Sequence, residues 1–144
     1  EPIKNEGIIK KNEVTEIFSN IEALYQINAE FCHSLQIAVE AELSSNAGGS
    51  ILGEAFKRVA PVMSVYTEYI QNFDTSTDVR KKLYKNAQFK SFLRKLQDAS
   101  GQSSMDLDTY LIMPVQRLPR YRLLLEAVLK YTPENTTDHR VLEE

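Results

Sequence analysis

Residues Leu107 to Tyr131 read LDTYLIMPVQRLPRYRLLLEAVLKY. This segment contains Pro114 and Pro119, each of which removes a backbone donor and leaves an upstream carbonyl without its helical partner. The apolar spacing nevertheless continues in phase across both prolines, which predicts one long helix. One row of this helix is predicted to face the core, and it comprises Leu107, Tyr110, Leu111, Pro114, Leu118, Tyr121, Leu125 and Val128.

A second row of the same helix mixes apolar, amide and cationic side chains: Thr109, Ile112, Gln116, Arg120 and Leu123. Such a mixture suits a surface that is hydrated in the free protein and buried in a complex. Gln116 and Arg120 are one helical turn apart and therefore share a face. A glutamine and an arginine at this spacing are usually just solvated, so the spacing alone assigns them no function.

The rest of the chain also predicts helices and no strand. Apolar residues recur at helical spacing from Val14 to Leu43, with Asn12 as the predicted N-cap, and again over residues 51–73, where Pro61 predicts a kink. Residues 74–95 read as two shorter helices, and residues 44–50 and 98–104 read as loops. Thr137 or Asp138 is the expected cap of a last helix. The predicted class is all-α, an elongated helical bundle.

Composition excludes several classes of function. The chain has 144 residues, 42% hydrophobic and 26% charged, which is an ordinary globular balance. A single cysteine, Cys32, allows no internal disulfide and suggests a cytosolic protein. Cys32 lies in a helical pattern and is interpreted as a small core residue, with a reactive thiol as the alternative. His33 and His139 are isolated, so no metal or other cofactor is predicted, and no nucleophile pairing or phosphate-binding glycine loop is present.

Charge is unevenly distributed along the chain. The net charge is −3, yet residues 79–97 carry seven basic residues and no acidic one. The simplest interpretation is a solvated helix face, and the alternative is a footprint for an acidic partner or a membrane. A nucleic-acid-binding domain is usually basic overall, so no nucleic-acid partner is predicted.

The segment LIMPVQRLPRYRLLL at residues 111–125 resembles the third signature block of Dbl-homology (DH) domains. The family pattern is a hydrophobic stretch, Pro-Val-Gln-Arg, two residues, Arg or Lys, Tyr, one residue and three leucines. Residues 129–133 resemble the continuation of that block, residues 69–74 and 89–93 resemble the second block, and residues 17–24 resemble the family's second helix. The resemblance therefore covers nearly the whole chain.

The resemblance implies a guanine nucleotide exchange factor module that binds a Rho/Rac/Cdc42-type small GTPase, preferentially its nucleotide-free form, and promotes GDP release. No covalent chemistry is implied, and in that sense the module is not an enzyme. Gln116 and Arg120 would contact the second switch of the GTPase, and Leu123 would continue that face. Ile112, Thr109 and Met105 would tune which GTPase is chosen. Arg117 points away from this row and is predicted to be structural, as are Tyr110 and Tyr121.

Three further expectations follow from the resemblance. The family's first block would lie before Glu1 and the end of its last helix after Glu144, so residues 1–144 are expected to form a single partial DH domain, truncated at both ends. A lipid-binding pleckstrin-homology (PH) domain usually follows this module, which would give a cytoplasmic protein recruited to a membrane through a domain outside this chain. The alternative function is a non-catalytic helical scaffold that retains the DH fold.

Overall fold

The structure is a computed structural model that describes residues 7–45, 51–99 and 105–144. Every element in these ranges is helical, which confirms the all-α class. The α-helices are α1 Lys11–Phe18, α2 Ile21–Ser45, α3 Ile51–Val59, α4 Val65–Leu83, α5 Ala87–Ala99, α6 Leu107–Tyr131 and α7 Thr137–Glu143. Within the described residues, none of these helices combines the length and apolar character needed to cross a bilayer.

The chain divides into two compact units. The first contains residues Glu1–Ile21 and Thr67–Val115, and the second contains Glu22–Tyr66 and Gln116–Glu144. The first unit packs α1, α4, α5 and the start of α6 around one apolar core. Its buried members are Ile9, Val14, Ile17, Leu83, Phe89, Phe92 and Leu111. Burial of side chains of this size contributes roughly 1.5–3 kcal/mol each, so this cluster is the main stabilising feature of the first unit.

The predicted single stripe from Val14 to Leu43 is in fact two helices, because the chain breaks after Phe18. Ser19 has a φ of +45°, a backbone conformation that L residues rarely adopt. The last carbonyls of α1 lack helical partners and are satisfied from α4 instead. The Asn72 amide donates to the Glu16 carbonyl at 2.7 Å, and the Ser76 hydroxyl donates to the Ile17 carbonyl at 2.8 Å. The break is therefore stabilised by side chains far away in the sequence.

The second unit has a smaller core with an aromatic centre. Phe31, Ala55 and Val59 are its buried members. Phe31, Phe56 and Tyr121 pack edge to face, with ring centroids 4.9 to 5.7 Å apart. Such pairs contribute about 0.5–1.5 kcal/mol beyond their buried area. This trio fixes the second half of α6 against α2 and α3 within the unit.

Several element boundaries differ from the sequence prediction. At Pro61, where the sequence predicts a kink, residues Ala60–Ser64 form a 3-10 helix between α3 and α4. Of the two shorter helices predicted in residues 74–95, the second is confirmed as α5. The first is wrong as a separate helix, because it is the end of α4, which runs without a break from Val65 to Leu83. Both predicted caps were placed slightly too far along the chain: α1 starts at Lys11, and Thr136 caps α7. Of the two predicted loops, residues 44, 45, 98 and 99 are helical, and the remainder lies outside the described residues.

The interpretation of Cys32 as a core residue is wrong, because the structure exposes its side chain. Phe31, its neighbour on α2, is only 4% exposed. Successive residues on a helix point about 100° apart, so burial of Phe31 turns Cys32 away from the core.

Candidate functional site

The long helix α6 is continuous from Leu107 to Tyr131, as predicted, despite its two prolines. The carboxylate of Asp106 caps its start by accepting the backbone N–H of Thr109 at 2.7 Å. The hydrogen bonds from Thr109 hold the pKa of Asp106 below its usual value. Near Pro114, the buried Tyr69 hydroxyl donates to the Leu111 carbonyl at 2.8 Å. The bond from Tyr69 and the burial of Leu111, which is 1% exposed, hold this part of α6 against α4.

The start of α6 is also held by an ion pair. Arg80 on α4 is 2% exposed, and its guanidinium pairs with Asp108 in the first turn of α6. The guanidinium also donates to the Ser76 carbonyl at 3.2 Å and to the Thr77 hydroxyl at 2.9 Å. The Cζ atom of Arg80 lies 5.5 Å from the centroid of the Phe73 ring, within cation–π range. A buried cation therefore ties α4 to the first turn of the signature helix.

Tyr84 completes the surroundings of this pair. Its pKa is raised to about 12, first by burial and next by the nearby Asp108 carboxylate, which is also its hydrogen-bond partner. The Asp108 side chain remains about half exposed, at 51%. Asp108 and Ile112 together line one groove of the first unit. Ile112 of the second row therefore lies in the same groove as a carboxylate that is paired with Arg80.

The three predicted residues in the first unit differ in exposure. Met105 is 42% exposed, and its carbonyl accepts a hydrogen bond from the Gln97 amide at 3.4 Å. Thr109 is exposed, although its backbone N–H is engaged by the Asp106 cap. Ile112 is half-buried in the wall of the groove. Each presents at least part of its surface to solvent.

The three predicted residues in the second unit form a polar pair and an exposed leucine. The Arg120 guanidinium donates to the Gln116 side-chain oxygen at 2.7 Å, which aligns the two side chains along the helix. Arg120 is exposed and Gln116 is half-buried. Leu123 is 65% exposed, and neighbouring Leu124 is 52% exposed. An exposed leucine pair beside an exposed arginine combines the residue types that suit a protein interface.

Arg117 turns to the other side of α6, as predicted, and has structural partners. Its guanidinium donates to the Tyr121 hydroxyl at 3.1 Å and to the Asn28 side-chain oxygen at 3.5 Å. Asn28 also exchanges hydrogen bonds with the Tyr66 hydroxyl at 2.7 and 2.9 Å. Burial raises the pKa of Tyr66, and the hydrogen bond to Asn28 partly offsets that rise. This network fixes the rotation of the half of α6 that carries Gln116 and Arg120.

The two tyrosines predicted to lie in the core have different outcomes. Tyr121 packs in the aromatic trio, which confirms the prediction for that residue. Tyr110 is 44% exposed, so the prediction for it is wrong. Its neighbour Leu111 takes the inward position at this level of the helix.

The sequence analysis did not predict the residues of α4 that contact the start of α6, which are Arg80 and Tyr69. Arg80 was grouped with a solvated basic stretch, and no partner was assigned to Asp108 or to Tyr69. An arginine at the inward position of α4, in phase with Leu83, was the available signal. Among the described residues, no group of three or more His, Cys, Asp or Glu side chains could hold a metal ion.

Comparison with known proteins identifies the family of the chain. The family model of the RhoGEF domain matches residues 1–144. The chain therefore belongs to the RhoGEF family, the Dbl-homology family whose signature block the sequence resembles.

Two curated relatives and one solved structure illustrate the match. The Rac guanine nucleotide exchange factor JJ of Dictyostelium discoideum is 35% identical over 133 residues, 92% of this chain and 11% of that protein. The mouse FYVE, RhoGEF and PH domain-containing protein 3 is 33% identical over 131 residues, 90% of this chain and 18% of that protein. A solved structure of the Vav1 exchange factor matches with a TM-score of 0.84 at 22% identity, over 99% of this chain and 37% of that chain. This last match confirms the fold predicted from the resemblance, and the chain corresponds to only a small part of each curated relative.

Proposed function

We propose that this chain binds a Rho-family GTPase through the exposed row of α6 and promotes the release of GDP. The observation that carries the proposal is the Gln116–Arg120 pair, which is aligned by a hydrogen bond on the outer side of the family's signature helix. On the other side of the same helix, the exposed Arg117 donates a hydrogen bond to Tyr121, whose ring packs in the aromatic trio. Membership of the RhoGEF family and the exchange-factor names of relatives support the same function.

The proposed mechanism is thermodynamic linkage and needs no covalent step. A module that binds the nucleotide-free GTPase more tightly than the GDP-bound form must weaken GDP binding by the same factor. In this proposal Gln116 and Arg120 contact the second switch, and Leu123 extends the contact. Met105, Thr109 and Ile112 in the first unit would adjust the choice among Rho-, Rac- and Cdc42-type partners. The preference for the nucleotide-free form is the defining property.

The test is to measure the affinity of the chain for immobilised Rho-family GTPases, each nucleotide-free and loaded with GDP and magnesium. The proposal predicts tighter binding to the nucleotide-free form of at least one GTPase. Arg120→Glu should weaken that binding by about 30-fold or more, because it reverses one charge of an interfacial contact.

Arg122→Glu is the matched control for this test. Arg122 lies on the same helix, is 81% exposed and pairs with Glu126, so its replacement makes the same charge change away from the proposed row. Equal affinity for the two nucleotide states would support a non-catalytic scaffold and contradict the proposal. Equal losses in the two variants would contradict the assignment of the site.

A further inference from the structure

Five cations near the end of α4 and along α5 form no ion pair within the described residues. Of the seven basic residues between 79 and 97, Arg80 is buried with Asp108, and Lys81 pairs with Asp78 at 3.6 Å. Within residues 7–45, 51–99 and 105–144, the other five pair with no carboxylate. We call these five the cationic surface: Lys82, Lys85, Lys90, Arg94 and Lys95.

The packing of the first unit directs these side chains to solvent. Leu83, Phe89 and Phe92 point into the core and are 0 to 8% exposed. All five cations are exposed. The backbone N–H of Lys85 donates to the Lys82 carbonyl at 3.1 Å, and a short turn over residues 84–86 then leads into α5. The cations are thus carried on two core-anchored helices and the turn that joins them.

The chemistry of the cationic surface favours one class of partner. Four of its five members are lysines, and lysine is depleted at protein–protein interfaces, where arginine is enriched. Phe89 and Phe92 are buried, so these aromatic rings of α5 are withheld from the stacking that single-stranded nucleic acids use. Clusters of four to eight Lys and Arg on one surface are typical of binding to anionic lipids.

We propose that the cationic surface binds the anionic headgroups of a phospholipid bilayer. The chain as a whole has a net charge of −3, so general attraction to an anionic bilayer is not expected. Binding must therefore depend on where the cations lie. Each cation near an anionic membrane strengthens binding roughly fivefold, so loss of three should weaken it about a hundredfold. This inference is independent of the proposed exchange function, because it uses none of the residues of the α6 row.

The test is co-sedimentation of the chain with two kinds of vesicle, phosphatidylcholine alone and phosphatidylcholine mixed with phosphatidylserine. Binding is expected only with the anionic vesicles, and it should weaken as salt is raised, because ions screen exposed charges. The triple variant Lys90→Ser, Arg94→Ser, Lys95→Ser should lose about a hundredfold in apparent affinity. Far-UV circular dichroism checks that the variant keeps its helices, as expected for exposed side chains.

A matched triple variant separates position from net charge. Arg58→Ser, Arg122→Ser, Lys130→Ser also removes three exposed cations, but from the second unit. It should retain the binding of the unmodified chain. Equal binding to both kinds of vesicle, or equal losses in the two triple variants, would overturn the proposal. The proposal would also be overturned if the triple variant of Lys90, Arg94 and Lys95 bound vesicles normally but associated more slowly with a GTPase. The cationic surface would then bind a protein partner.

Discussion

The ion pair between Arg80 and Asp108 predicts an asymmetric response to mutation. Arg80 is 2% exposed, whereas the Asp108 side chain is 51% exposed. Removal of Asp108 leaves a buried guanidinium with two neutral acceptors, the Ser76 carbonyl and the Thr77 hydroxyl. Removal of Arg80 leaves a carboxylate that water can solvate. The cost of losing Asp108 should therefore be much larger than the cost of losing Arg80.

The magnitudes follow from these exposures. Breaking a fully buried pair from one side costs about 3–5 kcal/mol, and the half-exposed carboxylate reduces this to roughly 2–3 kcal/mol for Asp108→Ala. Arg80→Met keeps most of the buried volume and should cost about 1 kcal/mol or less. The double variant should be only slightly less stable than Arg80→Met alone, because Asp108 is also the hydrogen-bond partner of Tyr84. The coupling energy should therefore be roughly 2 kcal/mol.

The assay is equilibrium unfolding in urea, followed by circular dichroism at the helical band, on all four members of the cycle. The midpoint of Asp108→Ala should fall, and the second mutation Arg80→Met should partly restore it. Equal costs for the two single variants, or costs that simply add in the double variant, would show that the buried Arg80 does not depend on Asp108.

Three further predictions concern stability. Ser19→Gly should stabilise the chain by about 0.5 kcal/mol, because the positive φ of Ser19 strains any residue with a Cβ; a lower thermal midpoint would contradict this. Asn28→Leu should lower the free energy of unfolding in urea by about 2 kcal/mol, because it deprives the Tyr66 hydroxyl of its partner. An unchanged midpoint would show that the hydrogen bonds of Asn28 do not stabilise the chain. Burial raises the pKa of Tyr69 to about 12, so the folded state favours the protonated phenol, and this stability is complete below pH 10 and lost as pH rises through 12. Tyr69→Phe should therefore have a lower free energy of unfolding at pH 8, because the Leu111 carbonyl loses its donor. Between pH 10 and 12 this variant should lose less stability than the unmodified chain. An identical loss of stability over that pH range in both proteins would contradict the raised pKa of Tyr69.

The continuity of α6 could be predicted from sequence because the spacing of its apolar residues indicates which side faces the core. The two prolines do not change that spacing. Sequence could not show that Tyr69 holds α6 in place, since Tyr69 lies 42 positions from the Leu111 carbonyl to which it donates. Helical spacing indicated the second row, Thr109, Ile112, Gln116, Arg120 and Leu123, but only the resemblance assigned a GTPase-binding role to these residues and to Met105. Their contacts with a GTPase remain a prediction.

The sequence predictions that were wrong fail for one physical reason, which is that contacts between residues distant in the sequence decide these features. The break after Phe18 depends on Asn72 and Ser76 from a helix more than 50 residues away. Arg80 looked like a surface cation because its partner, Asp108, lies 28 positions later. Helical phase predicts which residues share a face, but small differences in rotation decide whether a residue such as Tyr110 is inside or outside.

The rate of fluorescent-GDP release from Rho-family GTPases in the presence of this chain tests the proposed exchange function. We expect accelerated release from at least one GTPase. The acceleration should be abolished by Arg120→Glu and retained in Arg122→Glu, with unchanged helical content in both variants. Acceleration that survives Arg120→Glu would contradict the proposed role of the α6 row. Absence of acceleration from every Rho-, Rac- and Cdc42-type GTPase would contradict the proposed exchange function of the chain.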